Sequence, residues 1–390
     1  MAEALNHPAL TSRASAERAY HDRHMLQADF NQAPFTIAWE VTRACAYACR
    51  HCRANAQHRP DPGELTTQEA FQLIGRLAEF GQPILVFTGG DPMMRRDLFD
   101  LIACATQHGL RCSLTPTATA LPTVERLARA RQAGIRRLAL SLDAPTPAVH
   151  DDFRQVPGSW ERTLRILHNA GEAGLSVQVN TTVSRHNYDQ LPEMVPFIEQ
   201  VGAVQWSVFF LVPTGRAQAD WMITPEQHEG LFNWLYDLSQ QAPFDIKATA
   251  APMYRRVAIE RKRAEARGEA GQPAAIAFQG AGFQYADGLN RPTKGVNDGN
   301  GFLFISHLGE IMPSGFLPVS AGNVRSADVV QVYREHPMFK ALRDPSRLKG
   351  KCGYCEYREV CGGQRGRAYG ITGDYLASDP ACVYEPDAAG

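Results

Sequence analysis

A parallel α/β fold is what this sequence predicts, and three observations predict it. Between residues 35 and 215 a helical stretch repeatedly ends at a glycine, and a β-rich apolar run follows at once. The helical stretches open on cap signals. Strand, helix and strand are spaced as crossover units, which make neighbouring strands parallel.

Phe35-Thr-Ile-Ala-Trp-Glu40 reads as the first strand. Thr66-Thr67-Gln68-Glu69 is a capping box, and Ala70, Leu73, Ile74 and Leu77 share one face behind it. Gly81 then leads into Ile84-Leu-Val-Phe87. Asp97 starts the next helix, where Leu98, Leu101, Ile102 and Ala105 fall on one side. Gly109 precedes Leu110–Leu114, Gly134 precedes Leu138–Leu140, Gly174 precedes Val177–Val179, and Gly202 precedes Trp206–Phe210. Glycine suits the left-handed position just past a helix, so each marks a helix end. Six strands result. Periodicity alone does not separate an open sheet from a barrel, and a full eight-unit barrel needs more residues than this segment supplies.

At about 150 residues per domain, 390 residues accommodate two or three domains. Residues 1–34 read as an N-terminal extension and 35–215 as the core. Residues 216–301 read as a bridging region with a polar, Arg- and Lys-rich helix at 252–267, and 302–390 as a small C-terminal domain. Lys plus Arg is 40 against 41 Asp plus Glu, a net charge of −1, so no global field favours nucleic acid or an anionic membrane. There is no run of 18 apolar residues and no basic-then-apolar leader, so a cytoplasmic protein with neither partner is expected.

The nine cysteines are the most informative residues. Cys45, Cys49 and Cys52 lie within eight positions, and Cys352, Cys355, Cys361 and Cys382 lie near the C-terminus. In a reducing cytosol such density points to metal or redox chemistry, and the split points to two sites. Cys104 and Cys112 stand apart and read as buried structural thiols. Cys45-x3-Cys49-x2-Cys52 follows the first strand directly, where loops at strand carboxyl ends build active faces. Three thiolates suit a [4Fe-4S] cube with one iron left open; the alternative is a zinc knuckle with His51 as fourth ligand.

With His51 before the third cysteine and Gly89-Gly90-Asp91-Pro92 after the second strand, the sequence resembles the radical S-adenosylmethionine (SAM) superfamily. The resemblance implies a partial (β/α)6 TIM-like barrel. It implies a catalytic cluster on Cys45, Cys49 and Cys52 that binds SAM through the open iron. One electron then cleaves SAM, releasing methionine and a hydrogen-abstracting 5′-deoxyadenosyl radical. It further implies SAM contacts from His51, Gly89, Gly90, Asp91 and Pro92, and from Ser141, from Arg154 in the loop after strand four, and from Asn180. Pro213-Thr214-Gly215-Arg216 would bound the adenine pocket, and flavodoxin or ferredoxin would supply electrons.

The late cysteines fit a zinc ribbon when taken alone. Beside such a core they resemble the SPASM or twitch extension, which implies an auxiliary [4Fe-4S] cluster on Cys352, Cys355, Cys361 and Cys382. Ser314 stands where the full SPASM pattern has an earlier cysteine, so two clusters in total are expected. The run from Cys352 to Tyr375 resembles radical SAM enzymes of alternative haem and haem d1 biosynthesis, which act on tetrapyrrole propionates. A peptide substrate is the alternative, and a non-catalytic iron–sulfur carrier or zinc scaffold is the reading from another class. Arg255, Arg256, Arg291 and Lys294 are candidate carboxylate partners, and His307 is a candidate axial ligand to a haem iron.

Overall fold

The structure, a computed structural model, describes residues 29–268 and 295–387. Gly81, Gly109, Gly134, Gly174 and Gly202 all adopt positive φ, from 63° to 126°, so each ends its helix as the sequence indicates. Thr66 and Glu69 form the reciprocal box, with Glu69 Oε2 accepting from Thr66 N at 2.8 Å. Asp97 does precede its helix, but its carboxylate pairs with Arg95 at 2.8 Å instead of capping.

β1 (Thr36–Glu40), β2 (Ile84–Thr88), β3 (Arg111–Leu114), β4 (Ile135–Ser141), β5 (Ser176–Val183) and β6 (Gln205–Phe210) pair in parallel in chain order. Between them run α1 (Thr67–Ala78), α2 (Leu98–Gln107), α3 (Val124–Ala133), α4 (Pro147–Arg154), α5 (Ser159–Glu172) and α6 (Leu191–Gln200). This is the partial barrel. Two more parallel strands flank it. β7 (Asp245–Thr249) follows α7 (Pro225–Ser239) and pairs with β6, while β8 (Phe302–Ile305) comes after α8 (Met253–Ala266) and pairs with β1. A two-residue β9 (Ile311–Met312) adds antiparallel to β8, giving the order β7-β6-β5-β4-β3-β2-β1-β8-β9. The glycine-then-strand pattern does not mark β7, whose Asp-Ile-Lys-Ala-Thr alternates polar and apolar; β8 does follow Gly301, but it pairs with β1, far from it in sequence.

Strand periodicity explains where the core sits. Ile37, Trp39, Leu85, Phe87, Leu138, Leu140, Val179, Trp206 and Val208 are essentially unexposed and pack under the helices. Of the alternate residues, Ala38, Val86, Ser113, Ala139 and Asn180 are short and face a cavity instead. Short side chains at the middle strands leave room for a ligand. The C-terminal segment adds α9 (Val329–Glu335), α10 (Pro337–Arg343), α11 (Lys351–Tyr354) and α12 (Arg365–Thr372). Among the described residues no helix is long and apolar enough to cross a membrane.

Candidate active site

The cavity inside the sheet has a volume of about 970 Å³, at the upper end of ordinary ligand sites. Cys45, Cys49, His51 and Cys52 line it, on the loop that leaves β1. That loop is held from three sides. From β2, Gly90 N donates to Thr42 O at 2.8 Å and Asp91 N to Ala44 O at 2.7 Å. From β6, Arg216 donates to Cys49 O at 2.9 Å and to Ala56 O at 3.1 Å. From α5, Arg162 donates to the Tyr47 hydroxyl at 2.7 Å, and that hydroxyl in turn donates to Ala118 O.

The glycines after β2 serve this packing. A Cβ on Gly89 would lie 2.4 Å from Thr42 O, and one on Gly90 would lie 2.4 Å from Ala44 O and 2.6 Å from Arg43 O. Backbone carbonyls cannot yield cheaply. We expect Gly90→Ala to cost about 1–3 kcal/mol of stability. It should also halve the iron content of reconstituted protein while sparing the second site, as read by urea unfolding and iron analysis.

Two of the three thiols have a donor or cation at hand. Tyr47 N donates to Cys45 Sγ at 3.3 Å, Thr117 Oγ1 is 3.5 Å from the same sulfur, and Arg154 Nη1 is 3.9 Å from Cys49 Sγ. Burial pushes the Cys45 thiol up to about 11, so iron must displace a proton there. Among the described residues no three His, Cys, Asp or Glu side chains close tightly enough to hold a lone ion. A four-iron body takes one thiolate per iron, and this donor set fits it.

The other expected contacts divide. Gly89, Gly90, His51, Ser141, Arg154 and Asn180 all line the same cavity. His51 stacks on Phe153 with centroids 3.8 Å apart, and burial lowers its pKa to about 3, so the ring is neutral. Asp91 and Pro92 are corrections: neither faces the cavity. The buried Asp91 carboxylate accepts from Met93 N, Thr117 N and Thr119 Oγ1 at 3.0–3.3 Å, tying the β2 and β3 loops together. Arg154 is also corrected, because it ends α4 and lies in no loop. Its guanidinium anchors on Asp143 at 2.6 Å, leaving Nη1 toward Cys49. Thr214 lines the cavity, whereas Gly215 packs on the carbonyls of Cys52 and Arg53.

His307 is no axial ligand in this structure. It is 1% exposed, does not line the cavity, and sits 2.8 Å from Glu40. Arg255 does line the cavity and donates to Val296 O at 2.7 Å and Val360 O at 3.0 Å. Arg256 instead pairs with Glu229 and Glu260, while Arg291 and Lys294 lie outside the described residues. Cys112 is buried in β3, and Cys104 is half-buried against the core.

Cys352, Cys355, Cys361 and Cys382 line one second, narrow cavity. Gly363 N donates to Cys361 Sγ at 3.4 Å, and the buried Arg365 reaches Cys352 Sγ at 3.9 Å. Arg365 also donates to the carbonyls of Gly363, Tyr375 and Ala377, which fixes it there. A Cβ on Gly363 would lie 3.2 Å from Cys352 Sγ, so glycine keeps the space beside that thiol clear. Four thiols around one narrow cavity fit a cluster with a thiolate on every iron.

Fold and first site together define an enzyme that works with an iron–sulfur cluster and SAM at the carboxyl ends of a partial barrel. Residues 39–198 match the radical SAM superfamily profile. The chain is similar to the "AdoMet-dependent heme synthase" of Nitratidesulfovibrio vulgaris, at 43% identity over 90% of this chain and 92% of that protein. It is similar to the protein of the same name from Methanosarcina barkeri, at 40% identity over 91% and 97%. Among solved structures, Streptococcus suis SuiB bound to its precursor peptide SuiA superposes with a TM-score of 0.65, at 16% identity over 98% of this chain and 83% of that one. The chain belongs to the radical SAM superfamily.

Proposed function

We propose that this radical SAM enzyme oxidatively decarboxylates propionate side chains of an iron tetrapyrrole to vinyl groups, a haem-forming reaction. The observation that carries the reading is the lining of the cavity beside the cysteines. Phe209, Phe304 and Phe316 line it together with the cations Arg53, Arg137, Lys247 and Arg255. Aromatic rings suit a flat macrocycle, and the cations suit its carboxylates. The kinship with two proteins called heme synthases supports the same choice.

In this reading Cys45, Cys49 and Cys52 hold the catalytic cluster, and Cys352, Cys355, Cys361 and Cys382 hold an auxiliary one. Gly89, Gly90, His51, Ser141, Arg154 and Asn180 surround SAM. When bound, cluster and SAM would supply a hydrogen-abstracting radical; a propionate that loses that hydrogen atom, carbon dioxide and one electron would become a vinyl group, the electron passing to the oxidised auxiliary cluster held by Cys352, Cys355, Cys361 and Cys382. The protein's residues position and exclude. Arg53, 4.6 Å over the Phe304 ring and 3.1 Å from Glu40, presents a fixed cation next to the cysteine loop. The small barrel-facing residues leave the macrocycle room, and the stacked, neutral His51 offers a flat apolar surface near the reacting end. A flavodoxin- or ferredoxin-type protein supplies electrons.

The test is anaerobic incubation of reconstituted enzyme with SAM, dithionite and an iron porphyrin bearing propionates. Expected products are 5′-deoxyadenosine and, by mass spectrometry, loss of 46 mass units per side chain, roughly one carbon dioxide and two hydrogens. Modification of a peptide with the porphyrin untouched would replace the substrate assignment. Absence of 5′-deoxyadenosine above a Cys45→Ala control would favour an electron carrier or scaffold.

A further inference from the structure

Arg53 follows Cys52 directly and lines the large cavity, and its side chain is 21% exposed. Three contacts fix the guanidinium. Nη2 donates to Glu40 Oε2 at 3.1 Å, the group lies 4.6 Å over the Phe304 ring, and Gly315 packs beside it. A Cβ on Gly315 would be 2.8 Å from Arg53 Cδ and 2.9 Å from Nε and Nη1, so glycine there lets the fork lie where it does. Phe304 and Gly315 line the cavity as well. Among the described residues Nε and Nη1 have no hydrogen-bond partner, yet neither nitrogen is sealed from solvent. Two donors of a held cation therefore stand unspent beside cavity-lining residues.

Glu40 does the holding. This side chain ends β1, is 1% exposed, and is shared, with His307 2.8 Å away and Arg43 3.6 Å away. Burial works to raise its pKa, but His307, Arg53 and Arg43 hold the carboxyl below its ordinary range, so it is charged. One carboxylate answering two guanidiniums leaves a positive charge over, and of the two only Arg53 lines the cavity. Other cations there are more occupied. Arg255 gives both terminal nitrogens to carbonyls, and Arg137 donates to Gln205 while its Nε is buried. A planar fork that is already anchored loses little freedom on pairing with a carboxylate.

We propose that Arg53 is a specificity-determining residue that takes a substrate carboxylate at the catalytic-cysteine end of the cavity. The assignment rests on the tetrapyrrole reading and deepens it, naming which of the cavity cations recognises a propionate. Anchoring one propionate beside Cys52 sets which edge of a flat macrocycle meets the cysteine loop.

Comparing an acid with its ester separates this role from a purely structural one. Reconstituted protein is titrated anaerobically with an iron porphyrin bearing propionates and with the methyl ester of that porphyrin, each followed by visible absorption. Wild type is expected to bind the acid at least about tenfold more tightly than the ester. Arg53→Gln should weaken the acid about tenfold and move the ester by less than about threefold. Equal affinity of the wild type for acid and ester overturns the proposal. So does an Arg53→Gln variant that binds the acid as wild type does, or that loses acid and ester alike. Should Arg53→Gln fail to take up its iron, Gly315→Ala decides, because it pushes the fork aside with the charge intact. At least about a threefold smaller acid preference there supports the contact, and an unchanged preference overturns it. A wild type that binds neither compound would instead remove the tetrapyrrole reading, and this assignment with it.

Discussion

Replacing Cys49 with alanine is expected to abolish SAM cleavage, by at least about 10³-fold, because losing a residue behind a metal ligand already costs about 10–100-fold and here a ligand itself goes. Wild-type protein should carry about eight irons, one four-iron body per cysteine group, and the variant about four. The second group is remote in sequence and lines a separate cavity, so it should fill normally. Cys49 is the informative choice among the three because its sulfur faces Arg154, itself locked to Asp143. Its removal leaves that pair intact and the loop still held by Arg216 through the Cys49 carbonyl. Iron analysis, sulfide analysis and chromatography for 5′-deoxyadenosine read the outcome. About twelve irons in the wild type would show a third cluster, and full cleavage by the variant would show that the late cysteines do the chemistry.

The second large effect concerns stability. Arg367 and Asp379 are both wholly buried and pair at 2.9 Å. Arg367 also donates to Ala250 O at 2.8 Å, just past β7, and Asp379 accepts from Gln364 N at 2.8 Å and Ala381 N at 3.0 Å. The pair thus links the chain around Cys361 and Cys382 to the barrel edge. The neighbouring guanidinium and backbone donors hold the Asp379 carboxyl below its ordinary range despite its burial. Arg367→Met would leave that carboxylate buried and unpaired, with an expected loss of about 3–5 kcal/mol. The double variant Arg367→Met, Asp379→Leu removes both charges and should recover most of the loss, since desolvating two ions offsets much of their attraction. Urea unfolding of the reconstituted protein measures both. A loss under about 1 kcal/mol in the single variant would mean the pair contributes little.

Local signals in this sequence are unusually readable where backbone geometry demands one residue type. Five glycines marked helix ends because the left-handed position admits little else, and Thr66 with Glu69 marked a helix start because the side chains satisfy orphan backbone donors. The thiol spacings point to two cysteine groups, and those groups line two separate cavities. Contacts between distant segments left no such trace. Asp91 looked like a ligand for SAM, yet it is consumed by Thr117 and Thr119, two loops away. His307 reads as a haem ligand in the sequence, but its partner is Glu40, 267 positions earlier. Asp143 and Arg162 were missed because nothing local distinguishes a surface charge from a buried one.

β8 bears on how this architecture can be recombined. The first strand of the C-terminal portion pairs residue for residue with the strand that delivers the cysteine loop, from Thr36 opposite Phe302 to Trp39 opposite Ile305. A chimaera that swaps the C-terminal portion to transplant specificity therefore exchanges a ladder partner of the catalytic strand as well. Junctions placed after Ile305 would preserve that seam, whereas cuts upstream of Phe302 would ask a foreign sequence to zip onto β1. The N- and C-terminal portions are thus joined along four ladder pairs, whatever each binds.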